Sequence, residues 1–207
     1  MKNITIPIDP AYAPMFFKPI RSKSDVIVLL MTTIKYVITP AEVSVGSEAK
    51  LHIIVDDMNR FVYESKDKIF SIRSPFNVNQ DKEGLSFVSA NGGVIDSPIS
   101  SKIIKIVNSD EYTYKTSLDL ISIVEDEFYN ADQMWALLME LMSFEDGYLR
   151  FDDDDKNKNG RLHPKSHLDI YYTTASTFKI GTHFDPCVRY FIEMLNNKVD
   201  SKYLEAR

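Results

Sequence analysis

Residue types that can do chemistry are concentrated in one C-terminal stretch of the chain. Arg150-Phe151-Asp152 is followed by His163-Pro164-Lys165-Ser166-His167-Leu168-Asp169, and three of the four histidines lie between positions 163 and 183. Imidazole and carboxylate groups bind divalent metals, and arginine pairs with carboxylates and phosphates. The stretch therefore predicts a metal or catalytic site, a site for a ligand or partner, or a polar network with a structural role.

Strand periodicity divides this stretch into two faces. The runs 148–152, 167–172 and 177–180 alternate between apolar and polar residues. Successive side chains of a strand point to opposite faces of a sheet, so pairing of the three runs would place their polar residues together. The polar set is Arg150, Asp152, His167, Asp169 and Lys179. It suits an anion, a divalent metal or a phosphoester, and we assign ligand binding to Arg150 and Asp152.

Two histidines and two carboxylates are the candidate ligands of a divalent metal, which is the one cofactor that these residues indicate. They are His163, His167, Asp152 and Asp169. Pro164 excludes a regular helical pair of histidines, but a turn followed by a strand would bring both rings near a carboxylate. The candidate catalytic residues are His163, His167, Asp169 and Lys179. In the structural alternative, Ser166 and Asp169 only orient the histidines.

Other reactive residue types favour structural interpretations. Asp155, Asn157 and Asn159 match positions one, three and five of a calcium loop, but Ser166 stands at position twelve, where a glutamate belongs. We therefore favour a solvated acidic loop. We also interpret His52 and His183 as structural. Cys187 cannot form an internal disulfide, and a small buried residue at a helix start is favoured over a nucleophile.

Two motifs carry a resemblance. Arg150-Phe151-Asp152 with His163-Pro164-Lys165-Ser166-His167 resembles the Arg-[Phe/Tyr]-Asp … His-Pro-x-Ser-His signature of an uncharacterised bacterial family, a domain of unknown function. The segment 72–77 resembles an upstream motif of that family, with Ser74 where the family tends to have glycine. The resemblance covers residues 60–200 and thins after the histidines. No activity is known for that family, and its members are associated with mobile-element or phage-defence gene sets. The resemblance implies that Arg73, together with Asn77, binds a ligand at the same site; the alternative is a simple strand-ending turn at Ser74-Pro75.

Composition limits the classes of protein to consider. The chain has 207 residues, of which 44% are hydrophobic and 26% charged, and this is typical of a globular protein with a core. Its net charge of −6 argues against a broad nucleic-acid-binding face. The most apolar run, 26–38, is too short to span a bilayer. The lone cysteine and the prolines that interrupt any signal peptide favour a cytoplasmic protein without membrane contact.

The predicted fold class is α+β, with a mostly antiparallel β N-terminal half, then a helix, a three-stranded antiparallel segment and a C-terminal helix. Residues 1–24 are predicted to form an extended, proline-punctuated arm that packs on the body, on a partner protein or on a second copy. Residues 25–199 are predicted to form one domain, β-rich over 25–116, with a helix and the polar-site sheet over 117–199. Residues 200–207 are predicted to fray.

Hydrophobic periodicity predicts the individual elements. The predicted N-terminal strands are 51–55, 60–64, 68–73, 85–89, 102–107 and 111–116. The run 26–38 fits either a buried strand or a helix face. Residues 117–128 fit a strand end or a short helix, and 130–143 are predicted to be a helix capped by Asn130. The last helix is predicted to begin at Asp185, with Pro186 in its first turn.

Two functions remain open. The first is an accessory or binding module that recognises an anionic or metal-bridged ligand, or a partner protein, through the polar face. The second is a metal-dependent hydrolase, phosphoesterase or nuclease-like, in which Arg150 or Lys179 stabilises developing negative charge. The residues alone do not decide between binding and catalysis.

Overall fold

The chain folds into two compact units, each assembled from separate segments. The computed structural model describes residues 2–39, 46–82, 84–109, 112, 119–127, 131–160, 162–173, 178–183 and 187–202. The first unit, here called the sheet unit, comprises Met1–Ile8, Gly46–Arg73 and Gly147–Arg207. The second, here called the helical unit, comprises Asp9–Val45 and Ser74–Asp146. Neither unit begins at residue 25, where the sequence predicts the start of a single domain.

The sheet unit contains a seven-stranded antiparallel sheet and one helix. Strands are numbered in chain order, and the order across the sheet is β1-β2-β3-β4-β7-β8-β9. The bounds are Lys2–Pro7 (β1), Lys50–Val55 (β2), Arg60–Glu64 (β3), Lys68–Arg73 (β4), Leu149–Asp153 (β7), Ser166–Asp169 (β8) and Lys179–Gly181 (β9). The helix, α6, spans Val188–Leu195. The three C-terminal strands therefore extend the sheet formed by the N-terminal ones.

One face of this sheet is apolar and packs against α6. Ile69, Phe151, Leu168 and Ile180 are neighbours across four successive strands. The first three are buried in a cluster that also contains Phe191 and Ile192 of α6. Removal of these side chains from water stabilises the unit. Because side chains alternate, the same packing directs the intervening polar residues of β7 and β8 to the opposite face.

The helical unit is built around a long buried helix. The helices are Ala13–Phe16 (α1), Lys23–Ile38 (α2), Ser97–Val107 (α3), Asp119–Glu127 (α4) and Ala131–Ser143 (α5), and the strands Asn77–Gln80 (β5) and Leu85–Val88 (β6) form a hairpin. Ser22 and Asp25 form a capping box at the start of α2. Ile27, Leu30 and Ile34 are buried at helical spacing. The ambiguous run 26–38 is therefore a helix.

The α+β prediction is confirmed, but one predicted strand is wrong. Residues 102–107 belong to α3, whose N-cap Asp96 accepts a hydrogen bond from the backbone N–H of Ile99. Ile103 and Ile106 are buried at the spacing of one helix face. A short apolar run does not distinguish a strand from a helix, and the cap at Asp96 decides here. Most of the predicted strand 111–116 lies outside the described residues.

The predicted N-terminal arm is built into the fold. Residues 2–7 form β1, an edge strand paired with β2 from Lys2 opposite Val55 to Pro7 opposite Lys50. The prediction of extended structure is wrong for Ala13–Phe16, which is helical, and Phe16 is completely buried. A partner or second copy bound through this segment stays a prediction.

The C-terminal helices also correct details of the sequence prediction. Helix α5 begins at Ala131, and its predicted cap Asn130 lies outside the described residues. Helix α6 begins at Val188 with Cys187 as its N-cap, and the predicted cap Asp185 and Pro186 are also outside them. Cys187 is exposed, so its predicted burial is wrong. Within the described part of the chain, no helix has the length and apolar character needed to cross a membrane.

Candidate functional site

The polar face of the sheet carries two rows of side chains across four strands. Phe70, Arg150, Asp169 and Lys179 are neighbours in one row, on β4, β7, β8 and β9. Lys68, Asp152, His167 and Gly181 are neighbours in the next row. Residues two apart on a strand share a face, so the two rows form a single patch. The structure thus brings together the five residues that alternation assigned to one face.

Gly147 lies two residues before β7 and determines the backbone conformation there. Its φ angle is +51°, in the region that favours glycine. Its carbonyl oxygen accepts a 2.7 Å hydrogen bond from Nη1 of Arg60 on β3. A Cβ atom at Gly147 would lie 2.6 Å from Nη2 of Arg60, so a side chain there would displace the arginine. The glycine thereby allows the contact that anchors the start of β7.

Arg150 holds the two carboxylates of the patch in place. Its Nε donates to Oδ2 of Asp152 at 2.6 Å, and its Nη2 donates to Oδ2 of Asp169. Its Nη1 donates to the hydroxyl of Tyr148 at 3.1 Å. All three nitrogens of the guanidinium therefore donate to neighbouring side chains. Arg150, which the sequence assigned to ligand binding, positions the two aspartates.

His167 has a defined tautomer because of its backbone partner. Its Nδ1 lies 2.9 Å from the carbonyl oxygen of Pro164, and a carbonyl oxygen only accepts hydrogen bonds. Nδ1 therefore carries the proton, and Nε2 of the neutral ring has a lone pair. The ammonium of Lys179 lies 2.7 Å from this Nε2 and donates to it. The same ammonium is 3.3 Å from each carboxylate oxygen of Asp169.

Three of these side chains have the geometry of a metal ligand set. One ligand atom each from Asp152, His167 and Asp169 lies within 4.8 Å of the others. Nε2 of His167 is 3.6 Å from Oδ2 of Asp152 and 3.8 Å from Oδ2 of Asp169. The side chains of His167 and Asp169 are only 1% and 3% exposed. Histidine ligands commonly donate their second ring N–H to a carbonyl, as His167 does to Pro164.

Burial and the charges of the patch together shift the pKa values of three of its residues. Burial acts to lower the pKa of Arg150, but attraction to Tyr148, Asp152 and Asp169 outweighs it and the pKa is raised. Burial raises the pKa of Tyr148, so its hydroxyl stays neutral. Burial is the main cause that lowers the pKa of Lys68; Arg150 adds to this effect, and attraction to Asp152, Asp154 and Asp169 opposes it. Lys68 thus lies in a more desolvated position than an ordinary surface lysine.

Two predicted site residues, His163 and Arg73, do not belong to this set of three ligands. His163 packs its ring edge-on against His167, with centroids 4.9 Å apart, but its Nε2 is directed to Asp154, 3.6 Å away. Arg73 is paired with Arg60 on β3 and is exposed. Since Arg73 is an odd number of residues from Lys68 and Phe70, it lies on the opposite face of β4. The structure therefore brings neither the metal-ligating atom of His163 nor Arg73 into the ligand set.

The acidic loop and His52 have the structural character expected of them, and the structural role of His183 stays a prediction. Asp155 binds Lys158 and Lys165, and these hydrogen bonds lower the pKa of its carboxyl group. It is well exposed, as in a solvated loop. His52 is satisfied on both nitrogens, by Thr5 at 3.1 Å and Glu64 at 2.9 Å. His183 is exposed.

Lys68 lies beside the cluster, although the sequence does not identify it as a candidate. It lies on β4 directly opposite Asp152 of β7, on the polar face. Alternation within 68–73 groups Lys68 with Phe70 and Ile72, but it does not tell which strand will be its neighbour. Only the pairing of β4 with β7 places this lysine beside the cluster.

Comparisons of the chain with protein-family models, with curated proteins and with solved structures found no match. The resemblance to a bacterial family therefore stays an expectation. Any function for the patch has to be argued from its geometry and charge.

Proposed function

We propose that the sheet unit binds a divalent metal ion through Asp152, His167 and Asp169. One observation carries the proposal: two carboxylates and the Nε2 atom of His167 converge within 4.8 Å. The carbonyl of Pro164 fixes the ring so that this nitrogen presents its lone pair. A histidine with only a structural role needs one hydrogen-bond partner for each ring nitrogen. His167 has two carboxylates near Nε2 alone.

Lys179 supports this proposal because its ammonium lies where a cation is attracted. Its Nζ is 2.7 Å from Nε2 of His167 and 3.3 Å from both oxygens of Asp169. Its side chain is 25% exposed, so it can turn toward solvent when a metal ion binds. Without the metal, Lys179 and Arg150 neutralise two carboxylates whose burial would otherwise be costly.

The ligand types favour a transition metal over calcium or magnesium. Carboxylates alone suit Mg²⁺ and Ca²⁺, whereas imidazole suits Zn²⁺ and related ions. A set of one imidazole and two carboxylates therefore favours Mn²⁺ or Zn²⁺. Three protein ligands leave at least one coordination position for water or for an exogenous ligand. This is consistent with a binding protein for a metal-bridged ligand.

A metal-dependent hydrolase is the second candidate function. It is favoured by the two cations beside the ligand set, since Arg150 and Lys179 would oppose negative charge that develops on a phosphoester. Both functions require the same metal. Hydrolysis of a chromogenic phosphodiester in the presence of Mn²⁺ separates them, because turnover that is lost in Asp169→Asn would support the hydrolase.

Calorimetric titration of the purified chain with Mn²⁺ and with Zn²⁺ tests the proposal. We expect one ion per chain, and a loss of affinity greater than about tenfold in the nearly isosteric variant Asp152→Asn. Glu64→Gln is the matched control, since it also removes a carboxylate beside a buried histidine of this sheet. Absence of stoichiometric binding, or equal losses in both variants, would contradict the proposal.

A further inference from the structure

We infer that the metal site takes a phosphate group as its second ligand, and that Lys68 binds this phosphate. The inference rests on the proposed function, because the metal ion supplies part of the positive charge. It extends that function by assigning a ligand class and a residue that sequence reasoning did not select.

The position of Lys68 makes it available to a ligand. It is the cross-strand neighbour of Asp152, one of the metal ligands, and it shares the polar face with the cluster. Its ammonium has no hydrogen-bond or ion-pair partner among the residues that the structure describes. Lys66, two residues earlier in the same turn, is exposed, whereas Lys68 is half-buried. Asp152, Asp154 and Asp169 attract its charge without a hydrogen bond, so the N–H donors of this half-buried ammonium remain for a ligand.

The charge balance of the patch calls for an anion once a metal is bound. Three carboxylates, Asp152, Asp154 and Asp169, lie with three cations, Arg150, Lys179 and Lys68, and Nε2 of His167 accepts from Lys179. The charges of the patch therefore balance, and a divalent ion gives it two net positive charges. Such an excess in a partly buried site attracts a ligand with about two negative charges. A phosphate group has this charge and several oxygen acceptors.

The distribution of donors decides which residues reach the phosphate. Arg150 already donates from all three of its nitrogens to Asp152, Tyr148 and Asp169. Lys179 leaves His167 when the metal takes the lone pair of Nε2, and its ammonium then becomes available. Lys68 is available from the start. We therefore expect a phosphate oxygen on the metal, and other oxygens on the ammonium groups of Lys68 and Lys179.

Titration of the full chain with Mn²⁺, with and without inorganic phosphate, tests the inference. The expected result is that phosphate tightens Mn²⁺ binding by about tenfold, within the usual range of coupling between two ligands. Lys68→Gln should abolish this coupling and should not weaken Mn²⁺ binding in the absence of phosphate. Lys66→Gln is the matched control and should retain the coupling. Thermal unfolding of both metal-free variants verifies that they are folded.

The possible outcomes separate this inference from the proposed function. Stoichiometric Mn²⁺ binding that phosphate does not tighten would overturn the inference and leave the metal site standing. The same is true if Lys68→Gln and Lys66→Gln retain the coupling equally. If acetate tightens Mn²⁺ binding as much as phosphate does, the assignment to phosphate is overturned. If Mn²⁺ and Zn²⁺ do not bind, the proposed function fails and the inference fails with it.

Discussion

The sheet contains two buried histidines whose surroundings differ. His52, on β2, places Nδ1 beside the hydroxyl of Thr5 and Nε2 beside one carboxylate, Glu64. His167, on β8, places Nδ1 on a backbone carbonyl, and its Nε2 lies near two carboxylates and an ammonium. Both rings are nearly inaccessible, with relative exposures of 6% for His52 and 0% for His167. Burial and a nearby carboxylate therefore do not separate a structural histidine from a candidate ligand.

The two histidines differ in the number of polar groups near Nε2, which is larger at His167 than at His52. One acceptor and one donor satisfy a neutral imidazole, and His52 has one partner on each nitrogen. His167 would be equally satisfied by Pro164 and Lys179 alone. The two carboxylates and Arg150 around it exceed what the ring needs, and buried ion pairs often stabilise a fold no better than apolar side chains of the same volume. The following variants test this difference, from the largest expected effect to the smallest.

Removal of a charge from each region should give the largest contrast in stability. In Asp169→Asn, the partly buried Arg150 and Lys179 lose their shared counter-ion, and we expect a loss of about 3 kcal/mol in the free energy of unfolding. In Glu64→Gln, a hydrogen bond to His52 is altered, and about 1 kcal/mol is expected. Urea denaturation of the metal-free proteins measures both. Equal losses would indicate that the two regions are the same kind of polar contact.

Replacement of each histidine should affect metal binding at one of them only. His167→Gln removes the nitrogen ligand, and we expect Mn²⁺ and Zn²⁺ to bind at least about 10-fold more weakly, since loss of a residue that only orients a metal ligand costs about 10- to 100-fold. His52→Gln should leave both affinities unchanged, because this ring has a single carboxylate neighbour. The measurement is calorimetric titration. Weaker binding in His52→Gln but not in His167→Gln would place the metal at His52 and contradict the proposal.

A smaller effect of opposite sign is expected at Lys179. In Lys179→Gln the ammonium no longer competes for Nε2 of His167, and we expect Mn²⁺ affinity to rise by about fivefold. Lys198→Gln, which removes an exposed lysine paired with Asp57, is the control. A fall in affinity would show that Lys179 assists the metal rather than competing with it.

The smallest effect is expected in the acidic loop. Asp155 is exposed and its carboxylate already binds two lysines. We expect Asp155→Asn to change Mn²⁺ and Ca²⁺ binding by less than about twofold, since the loop lacks the bidentate ligand of a calcium site. Titration with each ion provides the check, and a large loss of Ca²⁺ binding would restore the calcium-loop interpretation.

The polar face could be predicted from the sequence because alternation is a local property. Asp152 and Arg150 are two residues apart, as are His167 and Asp169, so each pair is on one face of its strand whatever the register. The choice of partner strand is not local. Lys68 joins the patch only because β4 pairs with β7, and Arg73 is excluded by the same pairing and by the parity of its position.

The wrong parts of the fold prediction also have physical reasons. The run 102–107 is rich in β-branched residues, yet the cap at Asp96 and burial at helical spacing make it part of α3. The prolines near the N-terminus predicted an arm, but Ile4 and Ile6 face Ile53 and Leu51 of β2, and this pairing makes residues 2–7 an edge strand. A local cap together with burial decided the first case, and pairing with β2 decided the second.

The most direct test of the metal site is a crystal structure of the chain grown or soaked with Zn²⁺, with anomalous scattering to locate the ion. We predict a peak at about 2.0–2.2 Å from Nε2 of His167 and from one oxygen each of Asp152 and Asp169, with the ammonium of Lys179 displaced. A structure in which Lys179 still donates to His167 and no ion lies among these three side chains would contradict the account.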